Sequence, residues 1–95
     1  MAAYLIAQID VTDPEAYDEY RNQVPATLEG HATKYLVRGG AIARLEGDWP
    51  HERVVVIEFP SMEAARAWYD SAAYAGPKAL RQSASRGNMI LVEGA

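Results

Sequence analysis

The chain of 95 residues contains no cysteine. Disulfides, thiolate metal sites and thiol nucleophiles are therefore excluded. It has only two histidines, His31 and His51, and neither has a second imidazole or an acid at ligand spacing, so a metal centre is not expected. It has no basic run: the nine Lys and Arg are scattered from Arg21 to Arg86 and are outnumbered by thirteen acids, for a net charge of −4. Nucleic acid is a poor candidate partner for such a surface. Long apolar stretches are also missing. The longest aliphatic runs, Val54–Ile57 and Met89–Val92, fall far short of the ~20 residues of a membrane span. The segment from Met1 to Gln8 has neither the positive start nor the apolar length of a signal peptide. The expectation is a soluble cytoplasmic protein without a cofactor.

What is present is an ordinary globular balance, 49% hydrophobic and 23% charged. One domain over residues 1–95 is expected, because a chain this short cannot support two cores. A domain of this size buries roughly 60–65% of its unfolded surface, so a partner surface would help stabilise it.

Periodicity divides the chain into elements. From Tyr4 to Val11, Leu5, Ala7, Ile9 and Val11 alternate with Tyr4, Ile6, Gln8 and Asp10, as a strand requires. Thr12 and Glu15 have the spacing of a capping box around Pro14, and predict a helix over Pro14–Gly30. Its apolar face carries Ala16, Tyr17, Tyr20 and Val24, and Pro25 should kink or restart it. Tyr35–Glu46 reads as a second strand broken at Gly39-Gly40, where a bulge or bend is expected. Arg53–Phe59 is a third strand. Ser61 then caps a helix over Met62–Ala72, with Trp68 central in its apolar arc. Beyond Gly76-Pro77, Lys78–Ala84 suggests one more helical turn, and Asn88–Glu93 a last strand.

The order βαββαβ predicts an α+β, ferredoxin-like protomer: a four-stranded antiparallel sheet with the first and third strands central and two helices on one face. Strand three is apolar on both sides, Val55, Ile57 and Phe59 against Val54 and Val56. Strand four repeats this with Met89 and Leu91 against Ile90 and Val92. Helices cover only one such face. A second copy of the sheet is the simplest cover for the other, so a homodimer is expected.

A set of positions also resembles a known group of small bacterial domains, the domain of unknown function family 1330 within the dimeric α/β-barrel superfamily. The resemblance rests on Tyr17, Tyr20-Arg21, Arg38-Gly39-Gly40, Leu45-Glu46-Gly47, Arg53-Val54-Val55 and Glu58-Phe59-Pro60-Ser61. It continues through Ala65, Trp68-Tyr69, Ser71, Tyr74, Arg81 and Val92-Glu93-Gly94. His31-Ala32 departs from it, since a second glycine pair is expected there. The resemblance implies two sheets packed as a barrel, and no particular reaction. Other branches of the superfamily include cofactor-free oxygenases and isomerases, which is likeness of fold only.

Glu58 is the candidate catalytic group. It shares parity with Val54 and Val56, so it should point away from the helices, where burial would raise its pKa toward general-base range. The alternative is a strand-end carboxylate that accepts one hydrogen bond. Arg38, Tyr69, Tyr74 and Arg81 are the candidate ligand-binding residues. Arg38 could meet a ligand anion beside Gly39-Gly40, or pair with Glu46 or Glu58. Tyr69, near the edge of the helix's apolar arc, and Tyr74, in the loop beyond, could line a cleft mouth with a free hydroxyl, or pack with a hydroxyl bonded to backbone. Arg81 could close that mouth, or face solvent. His51, in the polar turn, should be exposed. Two functions stay open: a small-molecule enzyme or binder using a cleft beside the sheet, and a non-catalytic dimeric module for structure or protein interaction.

Overall fold

Alternation in the first strand sets the layering of the whole molecule. β1 spans Ala3–Val11; its Ala3, Leu5, Ala7 and Ile9 are buried, while Tyr4, Ile6, Gln8 and Asp10 remain partly open. The computed structural model describes all 95 residues. In it β1 pairs antiparallel with both β3, Arg53–Phe59, and β4, Ser85–Glu93. β2, Lys34–Arg38, adds at the outer edge of β3, giving the order β2-β3-β1-β4. The first and third strands are central, and the fold is α+β ferredoxin-like.

Three helices, not two, cover one face. α1, Pro14–Leu28, is capped by Asp13 and not by Thr12: the Asp13 carboxylate accepts the Ala16 N–H at 3.2 Å. Asp13 also supplies the carbonyl of the first helical bond, to Tyr17 N–H at 2.9 Å. Thr12 is held one step outside, with its N–H on the Ala84 carbonyl at 2.8 Å. Pro25 lies inside α1 without ending it. It is exposed, so water can take up the carbonyl it leaves without a donor.

The helix expected over Met62–Ala72 is divided. α2 spans Met62–Tyr69 and α3 spans Ala72–Ala84. Ser71 explains the division. Its hydroxyl donates to the Trp68 carbonyl at 2.7 Å and accepts the Tyr74 N–H at 3.2 Å, closing one helix and opening the next. Pro77 then falls within α3 instead of ending it.

β2 is also shorter than expected, stopping at Arg38 where Tyr35–Glu46 was predicted. Gly39 turns the chain out of the sheet with φ 73° while its N–H still reaches the Val54 carbonyl at 2.8 Å. Residues 39–50 are exposed throughout, including Ile42, Leu45 and Trp49. β4 begins at Ser85, ahead of the predicted Asn88.

The core lies between helices and sheet. Phe59, Trp68 and Tyr74 are its largest fully buried side chains, with ring centroids 5.5 Å apart for Phe59–Trp68 and 4.0 Å for Trp68–Tyr74. The Trp68 indole donates to Thr27 Oγ1 at 3.1 Å, and Thr27 donates to the Val24 carbonyl at 2.7 Å, tying α2 to α1. The opposite face of the sheet has no covering helix. Ile90 and Val92 there are 55% and 39% exposed. No helix is long and apolar enough to cross a membrane.

Candidate functional site

Two sequence features place cations and phenols under the helices. The first is helical spacing. Tyr17, Tyr20, Arg21 and Val24 recur at three- and four-residue steps, so α1 presents them together toward the sheet. The second is a bulge in β2. Tyr35 pairs with Ile57, Val37 with Val56 and Arg38 with Val55, which leaves Leu36 as an extra residue. The bulge shifts the alternation by one, so Tyr35 and Arg38 both face the helices although they are three residues apart. Arg53, which opens β3, shares parity with Val55 and Ile57 and faces the same way.

These side chains surround a partly open cavity between α1, α3 and the sheet, with a volume of about 30 Å³. Its floor is apolar: Leu5, Ala7, Ile57 and Trp68. Its polar lining is Arg21, Arg38, Arg53 and the tyrosines Tyr17, Tyr20, Tyr35 and Tyr74, with no aspartate or glutamate. In a chain of net charge −4 this is a local reversal of sign. The Arg38 guanidinium lies 4.8 Å from the Tyr35 ring centroid, and that of Arg53 lies 5.6 Å from the Tyr17 ring. The Nε of Arg53 is buried without a hydrogen-bond partner.

At the deep end the Tyr20 and Tyr74 hydroxyls are 2.8 Å apart, and Arg81 Nε donates to Tyr74 Oη at 3.3 Å. Burial, then the Tyr74 hydroxyl, pushes the pKa of Tyr20 far above the ordinary phenol range, so Tyr20 is a proton donor and not a base. Burial likewise raises Tyr35, with the nearby Arg38 charge opposing it. Burial works against the Arg81 charge, but the Tyr74 hydroxyl, together with Tyr20 and Tyr69, holds its pKa above the usual arginine value.

The sequence-derived candidates separate into two groups. Arg38 and Tyr74 line the cavity, Arg81 stands behind Tyr74, and the Tyr69 ring lies 6.0 Å from that of Tyr74. Tyr74 is not in a loop with a free hydroxyl. It occupies the first turn of α3 and is fully buried. Arg81 is half-buried rather than solvated. Tyr69 carries Lys78 Nζ at 4.3 Å over its ring and borders a separate open groove with Met62, Arg66 and Met89. Glu58 is not brought to these residues. It lies partly buried on the uncovered face, between Tyr4 of β1 and Lys34 of β2, and does not line the cavity.

Arg38 makes no ion pair with Glu46 or Glu58; the ion pairs present are Arg21–Asp18 at 3.5 Å and His51–Asp10 at 2.7 Å. His51, expected in solvent, is half-buried on Asp10. Tyr17, Tyr20, Arg21, Tyr35 and Arg53 are functional candidates that the sequence reading did not single out. The signals were available for Tyr17, Tyr20, Arg21 and Arg53, in the i, i+3, i+4 spacing on α1 and in the shared parity of Arg53 and Val55.

The cavity can hold an acceptor-rich group. Apart from the Trp68 indole, which is already bonded to Thr27, the polar side chains in its wall are arginines, which only donate, and tyrosines, which donate one proton and can also accept.

Several solved structures share this fold. A protein of unknown function from Rhodopseudomonas palustris superposes with a TM-score of 0.81 at 19% identity, over 99% of this chain and 82% of that one. A dimeric ferredoxin-like protein of unknown function from Jannaschia sp. CCS1 gives 0.69 at 15% identity, over 99% and 100%. SnoaB, a cofactor-independent oxygenase from Streptomyces nogalater, gives 0.63 at 10% identity, over 99% and 93%. No curated protein matches the sequence. The family model for the domain of unknown function DUF1330 matches residues 2–95, and the chain belongs to that family.

Proposed function

We propose that this protein binds a small organic anion in the cavity between helices and sheet, and that it does so as a homodimer joined through the uncovered sheet faces. The observation that carries the reading is the cationic lining of that cavity, three arginines and four tyrosines without a carboxylate, with Arg53 Nε buried and unpartnered. An unsatisfied buried donor costs roughly 1–3 kcal/mol. A ligand carboxylate would remove that cost and form charge-assisted bonds with the guanidinium groups.

The size of the cavity limits the ligand. A space of about 30 Å³ holds one or two waters. Arg21 and Arg38 are exposed, so the rim can open by side-chain rotation while the floor of Leu5, Ala7, Ile57 and Trp68 stays fixed. The ligand is thus a compact acid whose apolar body meets the Tyr17 and Tyr35 rings. In this reading Glu58 belongs to the dimer interface and not to the ligand site. The likeness to SnoaB, at 10% identity, carries no reaction over to this chain.

The test is calorimetric titration with phenylacetate and its neutral isostere phenylacetamide. Phenylacetate should bind, with the amide at least about tenfold weaker, because one charged hydrogen bond supplies roughly 1.5–3 kcal/mol. Equal affinities, or no binding of either compound, would remove the reading.

A further inference from the structure

Arg81, Tyr74 and Tyr20 form a line of three groups whose protons do not balance. Arg81 Nε donates to Tyr74 Oη at 3.3 Å, and the Tyr74 and Tyr20 hydroxyls lie 2.8 Å apart. Arginine has no acceptor, and each hydroxyl has one proton. One hydroxyl proton lies in the Tyr–Tyr bond. The other has no acceptor in the protein, whichever way that bond points. Tyr74 is 0% exposed and Tyr20 8%, so water outside the fold does not satisfy it freely. Both side chains line the cavity.

The Arg81 donation decides the direction. By drawing electron density from Tyr74 Oη it strengthens the Tyr74 O–H as a donor, and chains of hydrogen bonds reinforce one another in this sense. Tyr74 then donates to Tyr20, and the Tyr20 proton is the one left for the cavity. Depth separates this donor from the rim cations. Arg21 and Arg38 are exposed there, while Tyr20 is buried. A carboxylate is best kept at the rim, where it retains some water beside the guanidinium groups. A neutral oxygen suits the deep end, because losing its water costs less and a single O–H replaces it.

We propose that the Tyr20 hydroxyl, backed by Tyr74 and Arg81, is a second subsite that donates to a carbonyl oxygen, which makes the ligand class oxo acids rather than simple acids. Tyr20 touches the ligand, and Tyr74 and Arg81 are positioning residues behind it. The inference rests on the anion-binding reading above and narrows it.

Phenylglyoxylate and phenylacetate test it, since they differ only by a carbonyl in place of a methylene. Calorimetry on the wild-type protein should show phenylglyoxylate binding about tenfold tighter, the scale of one buried neutral hydrogen bond. Tyr20→Phe should bring that ratio, read between the two acids on the same variant, to about one. Arg81→Met should lower the ratio part of the way, a selective change between the two acids that mere loss of packing would not produce. Tyr74→Phe, which leaves the Tyr20 hydroxyl but removes the group behind it, gives a second variant that should lower the ratio part of the way should Tyr20→Phe unfold. Equal binding of the two acids by the wild type would overturn the oxo-acid subsite and leave the anion site standing. A tenfold preference that survives both tyrosine substitutions would also overturn it. Binding of neither acid would overturn both proposals together.

Discussion

The guanidinium of Arg53 fills the space that a side chain on Gly39 would occupy. Gly39 meanwhile holds φ 73° and donates its N–H to the Val54 carbonyl at 2.8 Å. Gly39→Ala forces an L-residue into the left-handed region, at a cost of about 1–2 kcal/mol, and drives its methyl against Arg53 Nη1. The end of a long side chain yields before backbone does, so the guanidinium moves. The expected result is a loss of about 1–2 kcal/mol in urea unfolding together with weaker phenylacetate binding. Unchanged binding would detach Gly39 from the site.

Arg53 itself should show the opposite balance between stability and binding. Its buried Nε has no partner, a burden of roughly 1–3 kcal/mol. Its position 5.6 Å from the Tyr17 ring returns only about 0.5–1 kcal/mol. Arg53→Met keeps most of the apolar stem and removes the orphan donor. Stability measured by urea unfolding should be unchanged or higher by about 1 kcal/mol, while phenylacetate binding is lost. A destabilisation above about 1.5 kcal/mol would make Arg53 a structural residue.

These residues also show which parts of the molecule could be read from sequence. Element order and the central pair β1 and β3 were legible because alternation is a local signal, visible in Leu5, Ala7 and Ile9 without knowledge of any contact. The division between α2 and α3 was not. Ser71 reads as one more polar residue in a helix until its hydroxyl is seen bonding both the Trp68 carbonyl and the Tyr74 N–H. Gly76-Pro77 then suggested a loop in what is a helix, which misplaced Tyr74. The site was half legible. Arg38, Tyr74, Tyr69 and Arg81 cluster on the helix side, but the Leu36 bulge that turns Arg38 inward depends on pairing with β3. Parity carried Glu58 to the uncovered face, and the same parity, applied to Arg53, would have carried it to the cavity.

Asp10 links the end of the 39–52 segment to the sheet. Its carboxylate meets His51 Nδ1 at 2.7 Å and accepts the Glu52 N–H at 3.1 Å. The hydrogen bond to His51, then that from Glu52, holds its pKa below the ordinary 3.8. A carboxylate depressed in the folded state adds stability above its unfolded pKa and loses it as pH falls through the folded value. Wild type should therefore exceed Asp10→Asn in stability from neutral pH down to about 3.8, with the gap closing below that. Urea midpoints from about pH 2 to pH 7 make the measurement. A gap that persists undiminished at the acid end would assign the difference to shape rather than charge.

The uncovered face of the sheet makes the last test, because it separates assembly from ligand binding. Ile90, 55% exposed, pairs with Ile6 on β1. Val54 and Val56 of β3 and Val92 of β4 extend the same apolar surface, with Glu58 at its edge toward β2. Sedimentation at micromolar concentration should give twice the monomer mass of 10.4 kDa. Ile90→Lys puts a charge where the second sheet would pack, and burying it unpaired costs several kcal/mol, so this variant should sediment as a monomer. Its cavity lies on the other side of the sheet, so phenylacetate binding should persist. Glu58→Gln should likewise leave phenylacetate affinity unchanged. By removing a carboxylate that the interface must desolvate, it should also shift the dimerisation constant, toward tighter association by up to about tenfold. A large loss of anion binding in Glu58→Gln would return that residue to the ligand site, and a wild-type monomer would leave the sheet face open to water.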